Sequence, residues 1–315
     1  MKFEPGKQEE QAVFGPVPSR RLGLSLGVDL LWFKTCPLDC VYCELGPTTV
    51  KTACRAEFRP VDQVLAQVEE RLAELAYTPQ YLTLAGSGEP TLHLGLGRAV
   101  ERLASLGAGE VAVLTNGVLC SDPAVRRDLA GAHLVVPSLD AVSEEVFQRV
   151  NRPARGLSAA RVVEGLALFR REYAGRLWLE ILFVAGVNDT DQEVEGLVAA
   201  VRRIAPDLVQ VNTVVRPPAE PGAGAVSNQR LAQIAGAFSV PAEVIAPPEA
   251  RAAGERGELS RQVVEMTRRR PCTLADIVAF SGLPPAEAAR LVEELASQGR
   301  VVEERFGDGV YFRGI

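Results

Sequence analysis

The chain alternates short, almost continuous aliphatic runs with longer segments in which hydrophobic residues recur every three or four positions. Seven aliphatic runs have the length of strands and span 22–33, 80–86, 110–116, 133–140, 176–184, 207–215 and 242–247. Unbroken apolar runs are typical of parallel strands that are covered on both faces. Between these runs, segments with one apolar helical face span 60–75, 159–173 and 192–205. The pattern predicts an α/β fold.

Repeated βα units predict a parallel sheet whose crossover connections are right-handed. Six or seven such units fit a partial (β/α)6-type barrel over residues 22–250, preceded by an N-terminal extension at 1–21. In such barrels the functional side chains lie at the carboxyl ends of the strands. We therefore expect the site to be built from the loops that follow the strands.

A second, smaller domain is predicted at residues 259–315, after a polar linker at 251–258. Two β-prone runs joined by a Gly-Asp-Gly turn span 301–312 and predict a hairpin. Three helical segments precede this hairpin and span 260–269, 273–282 and 284–300. Three helices followed by a hairpin predict a winged helix-turn-helix domain.

Composition and charge exclude several classes of protein. The 315 residues are 47% hydrophobic, which is enough for a sizeable core and too much for a disordered chain. Basic residues number 34 and acidic residues 40, and the net charge of −6 argues against a surface that coats nucleic acid. The longest segment without a charge has 14 residues, short of the roughly 20 that a membrane-spanning helix needs. With a polar N-terminus lacking a signal peptide, we expect a cytoplasmic protein without a membrane segment.

The clustered cysteines are the strongest indication of chemistry. Cys36, Cys40 and Cys43 form a C-x3-C-x2-C motif in the loop after the first predicted strand. Thiolates at this spacing suit an iron–sulfur cluster or zinc, and both usually take four ligands. A cluster held by three cysteines keeps one iron open, whereas zinc would need Cys54 as its fourth ligand. An iron–sulfur cluster and a zinc ion are therefore both candidates, and the cluster is favoured.

The other cysteines give no second site. Cys54, Cys120 and Cys272 are scattered along the chain, and no cysteine precedes Cys36. Cys120 follows a predicted strand, where a small buried hydrophobe is favoured over a thiol that faces a substrate. The sequence therefore supports one cluster.

The segment TCPLDCVYC, with Tyr42 just before its last cysteine, resembles the radical S-adenosylmethionine (SAM) superfamily. The resemblance covers roughly residues 14–250. It implies a [4Fe-4S] cluster on the three cysteines, SAM bound at the open iron with Tyr42 among its contacts, and reductive cleavage of SAM to a 5′-deoxyadenosyl radical. That radical would abstract hydrogen from a substrate, and an electron donor such as flavodoxin or ferredoxin would supply the electron.

A second segment, LAGSGEPTL at 84–92, resembles the glycine-rich motif of the same superfamily. The resemblance implies that the backbone at Gly86, Ser87 and Gly88 holds the ammonium group of SAM. Glycine also allows close approach of a ligand to the main chain. Glu89 would fix this loop.

Polar residues at later strand ends complete the expected SAM site. By resemblance, Ser138 and Asp140 would bind the ribose, and strand-end turn chemistry is the competing interpretation. Asn116 ends the third predicted strand, and Asn188 follows the fifth and would line the adenine pocket. A turn or helix cap explains either residue as well.

Two further segments narrow the resemblance. Residues 14–30 and 210–220 resemble the subgroup that contains the tRNA wybutosine-synthesising enzymes, although this chain lacks their upstream cysteines. An RNA base competes with a peptide or small metabolite as the substrate. Arg20, Arg21 and Arg216 are expected either to bind an anionic group or to form salt bridges at the rim.

A regulator that senses a metal or cluster and binds DNA through the small domain is the alternative function. The presumed recognition helix carries Glu287, Glu293 and Glu294, with Arg290 and Arg300 as its basic residues. An acidic helix is repelled by phosphate. We therefore do not expect duplex DNA binding, and favour substrate or partner recognition, with a lid or dimerisation element as plausible. The sequence does not fix the oligomeric state.

Overall fold

Most of the chain folds around one large sheet. The structure, a computed structural model, describes residues 11–245, 256–307 and 309–315. Its first ten strands are β1 (Val13–Ser19), β2 (Gly23–Val28), β3 (Thr35–Cys36), β4 (Val50–Lys51), β5 (Tyr81–Leu84), β6 (Glu110–Thr115), β7 (Leu134–Pro137), β8 (Arg176–Phe183), β9 (Leu208–Thr213) and β10 (Ala242–Val244). The helices between them are α1 (Val61–Glu74), α2 (Leu96–Ser105), α3 (Pro123–Leu129), α4 (Glu144–Val150), α5 (Ala159–Glu172), α6 (Asp191–Ile204) and α7 (Asn228–Ala237).

Eight of these strands form a mostly parallel sheet in the order β1-β2-β5-β6-β7-β8-β9-β10. Every pair from β2 to β10 is parallel, and β1 lies antiparallel to β2 at one edge. Within the described part of the chain, the edge strands β1 and β10 do not pair with each other. The α/β fold with a mostly parallel sheet is confirmed, and its strand ends share one edge.

The predicted helices form close to their expected bounds because each has a continuous apolar face. In α1, the buried residues Val61, Val64, Leu65 and Val68 are spaced at helical intervals. Helix α6 begins at an N-cap, where Thr190 accepts a hydrogen bond from the backbone of Glu193. Strands β5, β6 and β7 are almost entirely buried, as parallel strands between helix layers require.

Strand β1 was missed by the sequence prediction, which placed an extension at residues 1–21. Residues 1–10 lie outside the described residues, but 13–19 form a strand of the main sheet. Pro16 and Pro18 argue against a central strand. They are tolerated here because β1 lies at the edge, and its register shifts between Phe14 and Val17.

The first predicted strand, 22–33, is too long. Strand β2 ends at Val28, and Leu30 and Leu31 are 1% exposed without belonging to a strand. Burial in the core, not strand formation, explains the apolar run at this point. The cysteine motif therefore does not follow β2 directly, since Cys36 lies in the short strand β3, which pairs with β4.

The C-terminal residues form a second unit with its own core. It contains α8 (Arg256–Arg269), β11 (Cys272–Thr273), α9 (Leu274–Ser281), α10 (Pro285–Ser297), β12 (Val301–Phe306) and β13 (Gly309–Gly314). The three strands form a sheet in the order β11-β13-β12. The predicted linker 251–258 and the end of the seventh predicted strand at 246–247 fall largely outside the described residues, as does residue 308 of the expected turn.

The C-terminal unit packs against the main sheet through named contacts. Arg269 of α8 lies over the ring of Phe14 and forms an ion pair with Asp29 at 3.3 Å. The hydroxyl of Tyr311 in β13 donates to the carbonyl of Val215 at 2.8 Å. These contacts place the unit against both β1–β2 and the segment that follows β9.

The loop after β5 approaches β3 so closely that one position must be glycine. Gly88 forms a bridge with Thr35, and a Cβ at Gly88 would lie 2.1 Å from the carbonyl oxygen of Thr35. Because the obstructing atom belongs to the backbone, rotation of a side chain cannot relieve the clash.

We expect Gly88→Ala to lower the free energy of unfolding by about 1–3 kcal/mol, the usual cost of overpacking. Gly222→Ala is the control, because a Cβ at Gly222 meets nothing within 4 Å. Urea denaturation of both variants measures the effect. Equal stability of Gly88→Ala and the unmodified protein would contradict the close approach.

Candidate functional site

The three clustered cysteines lie at the carboxyl edge of the sheet, on a segment made of the end of β3 and the loop that follows it, which we call the cysteine loop. The loop is anchored to the end of α4, since the backbone amides of Asp39 and Val41 donate to the carbonyls of Asn151 and Val150 at 2.9 and 3.0 Å. The side chains of the three cysteines are partly exposed. The structure thus brings all three predicted ligands to one anchored loop.

Each of the three sulfurs accepts a hydrogen bond from a different side chain. Asn116 Nδ2 lies 3.5 Å from Cys36 Sγ, and Asn151 Nδ2 lies 3.3 Å from Cys40 Sγ. Lys34 Nζ lies 3.0 Å from Cys43 Sγ. Donors of this kind stabilise thiolate ligands and tune the reduction potential of a cluster.

Burial disfavours bare thiolates at this loop. Desolvation, followed by the nearby carboxylate of Glu89, raises the pKa of Cys36 to about 12. Desolvation and the neighbouring Asp140 raise the pKa of Cys40 well above its ordinary value. Since metal coordination deprotonates a thiol, these cysteines suit a positively charged group that compensates the buried charge.

The donor geometry distinguishes between the two candidate metal groups. In the described residues, no three side chains of the types His, Cys, Asp and Glu converge as a single metal ion requires. Zinc needs its ligands around one point, whereas a cubane cluster distributes its thiolates over separate irons. Three thiols on one loop, each with a hydrogen-bond donor, fit the cluster better than zinc. Cys54, the expected fourth zinc ligand, is exposed.

The loop after β5 is organised by a buried carboxylate that sequence reasoning did not identify. Asp29 Oδ2 accepts hydrogen bonds from the backbone and the hydroxyl of Ser87 at 2.8 and 2.5 Å. Gly86 has a φ of 146°, and a Cβ there would lie 2.5 Å from the Asp29 carboxyl group. The glycine requirement at Gly86 and Gly88 therefore arises from contacts within the protein, and a contact of this loop with SAM stays a prediction.

Glu89 fixes the loop in the way the resemblance implies. Its side chain is 2% exposed and accepts hydrogen bonds from the backbone and hydroxyl of Thr91, the hydroxyl of Thr115 and the backbone of Asn116. Burial raises the pKa of Glu89, although these four hydrogen bonds act in the opposite direction. Glu89 thus joins the ends of β5 and β6 and positions Asn116 beside Cys36.

Asp140 lies at the centre of a buried network that reaches the cysteine loop. Its Oδ2 accepts hydrogen bonds from Tyr42 Oη at 2.5 Å and from Asn151 Nδ2 at 2.7 Å. Its Oδ1 accepts from the amide of Leu182 at 3.0 Å. Burial raises the pKa of Asp140 to about 6 in spite of these bonds. At 3% exposure, Asp140 supports Tyr42 and Asn151 in this structure, and its predicted contact with ribose stays untested.

Both the amide nitrogen and the amide oxygen of the Asn188 side chain form hydrogen bonds with backbone groups. Its Nδ2 donates to the carbonyls of Asp140 and Leu182 at 2.8 Å, and its Oδ1 accepts from the amide of Val184. The helix-cap alternative is wrong, because α6 is capped by Thr190. Ser138 follows β7 and bridges to Glu180. Contacts of Asn188 with adenine and of Ser138 with ribose stay predictions.

The other cysteines take no part in the site. Cys120 and Cys272 are buried among hydrophobic side chains, and burial raises the pKa of Cys120 to about 12. This agrees with the interpretation of Cys120 as a small hydrophobe.

A cavity of about 900 Å³ lies between the β1–β2–β5 part of the sheet and the C-terminal unit. Its inner wall includes Ser25 and Thr83 of the sheet, and Gly86 and Ser87 of the loop after β5. Its other lining residues include Glu44, which follows the last cysteine of the motif, and Arg268, Arg269, Arg270 of the C-terminal unit. The volume is in the range of pockets that hold small molecules.

The sequence analysis did not predict several residues that contribute to this site. Lys34 is 3% exposed, which is rare for lysine, and its position directly before the cysteine motif was the available signal. Asn151 lies at the end of α4, and only the fold brings its amide to Cys40. Asp29 interrupts an apolar run, and no sequence pattern pointed to the loop that it holds.

The protein-family comparison agrees with this geometry. A family model of the radical SAM superfamily matches residues 30–199, which include the cysteine loop, the loop after β5 and Asp140. The match spans more than half of the chain. The chain therefore belongs to the radical SAM superfamily, whose members bind a [4Fe-4S] cluster and SAM.

Relatives of known sequence and structure extend the comparison. A protein of Brachyspira hyodysenteriae described as GTPase Obg is 30% identical over 95% of this chain and 44% of its own length. The UPF0026 protein MJ1312 of Methanocaldococcus jannaschii is 36% identical over 66% of this chain and 64% of its own length. The chain thus spans less than two thirds of either relative.

A solved structure shares the fold at low identity. Streptococcus suis SuiB bound to S-adenosylmethionine matches with a TM-score of 0.53 and 12% identity, over 70% of this chain and 50% of that chain. This likeness shows the fold alone. Among the described residues, no helix is long and apolar enough to span a membrane.

We expect Glu89→Gln to reduce the free energy of unfolding by about 1–3 kcal/mol, the cost of an unsatisfied buried donor. Either orientation of the new amide turns an N–H toward the backbone N–H of Thr91 or of Asn116. Thermal and urea denaturation measure the loss. Glu101→Gln is the control, because Glu101 is exposed on α2. Equal stability of Glu89→Gln and Glu101→Gln would show that the four bonds contribute nothing.

Proposed function

We propose that the protein holds a [4Fe-4S] cluster on Cys36, Cys40 and Cys43 and binds SAM in the adjoining cavity. The observation that carries the proposal is the set of three thiols on one anchored loop, each with its own hydrogen-bond donor. Glu44 and Leu45, which directly follow Cys43, line the cavity, and its volume is large enough for a small-molecule cofactor and part of a substrate.

A cluster and SAM bound here supply one-electron cleavage of SAM and a radical that abstracts hydrogen. The chain's own residues orient the cluster and SAM and shield them. Asn116 and Asn151 hold two of the sulfurs, and Glu89 and Asp140 hold these two asparagines. Reduction of the cluster requires an electron donor such as flavodoxin or ferredoxin. We also infer that the protein is located in the cytoplasm.

We infer that the C-terminal unit is a winged helix-turn-helix domain that helps to select the substrate. The order of its helices and strands supports the winged helix-turn-helix fold. The short turn between α9 and α10, where Gly282 has a φ of 67°, supports it as well. The unit lines the cavity through Arg268, Arg269 and Arg270. Exposed Glu287, Glu293 and Glu294 on α10 oppose binding to duplex DNA, so no observation favours the DNA-binding regulator.

The candidate substrates are an RNA base and a peptide or small metabolite. The likeness of segments 14–30 and 210–220 to the wybutosine subgroup favours RNA. Both segments contribute to the region around the cavity, since Arg21 lines it and Arg216 contacts Glu44.

We expect anaerobically reconstituted protein to contain one [4Fe-4S] cluster and to form 5′-deoxyadenosine from SAM in the presence of dithionite. Single replacements of Cys36, Cys40 or Cys43 by Ala should abolish both, because each removes an iron ligand. Iron and sulfide analysis, EPR and chromatography measure the result.

Cys54→Ala is the matched control, because Cys54 is exposed and outside the motif. It should keep the cluster and the product. A cluster that still assembles after replacement of all three motif cysteines would overturn the proposal.

We expect Asn116→Ala to shift the reduction potential of the cluster to more negative values. The change removes the hydrogen bond to Cys36 Sγ, and electron-rich thiolates stabilise the oxidised cluster. An EPR-monitored redox titration measures the potential. Asn228→Ala, at an exposed position of α7, should leave it unchanged. An unshifted potential in Asn116→Ala would mean that the contact has no effect.

A further inference from the structure

Four arginines gather around one carboxylate beside the cysteine loop. Glu44 forms ion pairs with Arg216 at 3.0 Å and with Arg20 at 3.6 Å. Arg21 and Arg270 also act electrostatically on Glu44, and both line the 900 Å³ cavity with it. We call these four arginines and Glu44 the arginine recess.

Two further carboxylates form ion pairs with these arginines and neutralise only part of their positive charge. Arg216 also pairs with Asp276 of α9 at 3.1 Å, and Arg21 pairs with Glu180 at 2.6 Å. The recess therefore sets four guanidinium groups against three carboxylates. Crowding is visible at Arg20, where burial and then the charge of Arg216 lower the pKa to about 10.

Donors at three of these arginines are incompletely paired, and of these three only Arg270 lines the cavity. Arg216 is 2% exposed, and its Nε has no hydrogen-bond partner in the described part of the chain. Arg270 forms no side-chain hydrogen bond or ion pair with another described residue. The single ion pair of Arg20 is long. Leaving a buried donor without an acceptor is costly, so such a position is expected where a ligand supplies the acceptor.

The arrangement suits a phosphate group better than a carboxylate. Phosphate carries three acceptor oxygens that can face donors from several arginines at once, and guanidinium groups bind it with charge-assisted hydrogen bonds. Two apolar residues that line the same cavity, Leu45 and Phe33, offer a surface for an uncharged part of the ligand. Phe33 is 45% exposed although it is aromatic.

We propose that the arginine recess binds a phosphate group of the substrate, with Arg270 as the residue that the C-terminal unit contributes. The proposal rests on the proposed function in taking this cavity as the substrate site. It gives the C-terminal unit a defined role, because neither half of the chain supplies the complete recess. The phosphate could belong to a mononucleotide or to RNA, and binding experiments separate these two sources.

Isothermal titration calorimetry of the reconstituted protein under anaerobic conditions tests the proposal. The probes are inorganic phosphate, uridine 5′-monophosphate, uridine and a 5′-phosphorylated RNA octamer. Uridine is chosen so that the base does not compete for the adenine site of SAM. The readout is affinity, so it stays informative even if SAM cleavage is not observed.

Arg270→Gln is the test variant, because Arg270 has no described partner whose loss would unfold the protein. Phosphate and uridine monophosphate should bind, and Arg270→Gln should weaken both by about tenfold, as expected for one charge-assisted hydrogen bond. Arg290→Gln, at an exposed position of α10, should change neither affinity. Uridine should bind much more weakly than its monophosphate.

Equal affinities in Arg270→Gln and the unmodified protein would overturn the proposal, as would equal binding of uridine and uridine monophosphate. If the recess binds phosphate as proposed, tighter binding of the octamer identifies RNA as the source. Equal or weaker binding of the octamer identifies a mononucleotide.

Discussion

Backbone hydrogen bonds between β3 and the loop after β5 hold together the two segments on which the site depends. The amide of Lys34 donates to the carbonyl of Ser87 at 2.6 Å, and the amide of Glu89 donates to the carbonyl of Thr35 at 3.0 Å. These bonds require that Gly88 have no side chain. Backbone hydrogen bonds therefore join the cysteine loop to the glycine-containing loop and Glu89.

Buried carboxylates extend this assembly across the sheet. Asp29 holds Ser87, Glu89 holds Asn116, and Asp140 holds Tyr42 and Asn151. The price of burying these groups is offset by several hydrogen bonds to each. Since Asn116 and Asn151 each contact a cluster cysteine, the carboxylates position the donors that face the sulfurs. Asp29 also pairs with Arg269, which links the glycine-containing loop to the C-terminal unit.

The sequence predicted what depends on local pattern. Aliphatic runs and helical periodicity located the core strands and helices α1, α5 and α6 to within a few residues, and the cysteine spacing located the site. Strand β1 was missed because its prolines are acceptable only at an edge, which is a property of the tertiary fold. Lys34, Asp29 and Arg270 were missed as site residues because each acts on a partner that the fold brings near. Gly86 and Gly88 were expected to let a ligand approach the backbone, which stays a prediction. The structure adds that a Cβ at these positions would meet Asp29 and Thr35.

The central claim is that three cysteines hold a cluster with an iron available to SAM. The most direct measurement is the EPR spectrum of the dithionite-reduced protein, recorded with and without SAM. If SAM binds at the cluster, addition of SAM should change the g values of the [4Fe-4S] signal. The control is 5′-deoxyadenosine, which lacks the methionine part of SAM and should cause no such change. A cluster spectrum that SAM leaves unaltered would contradict the account.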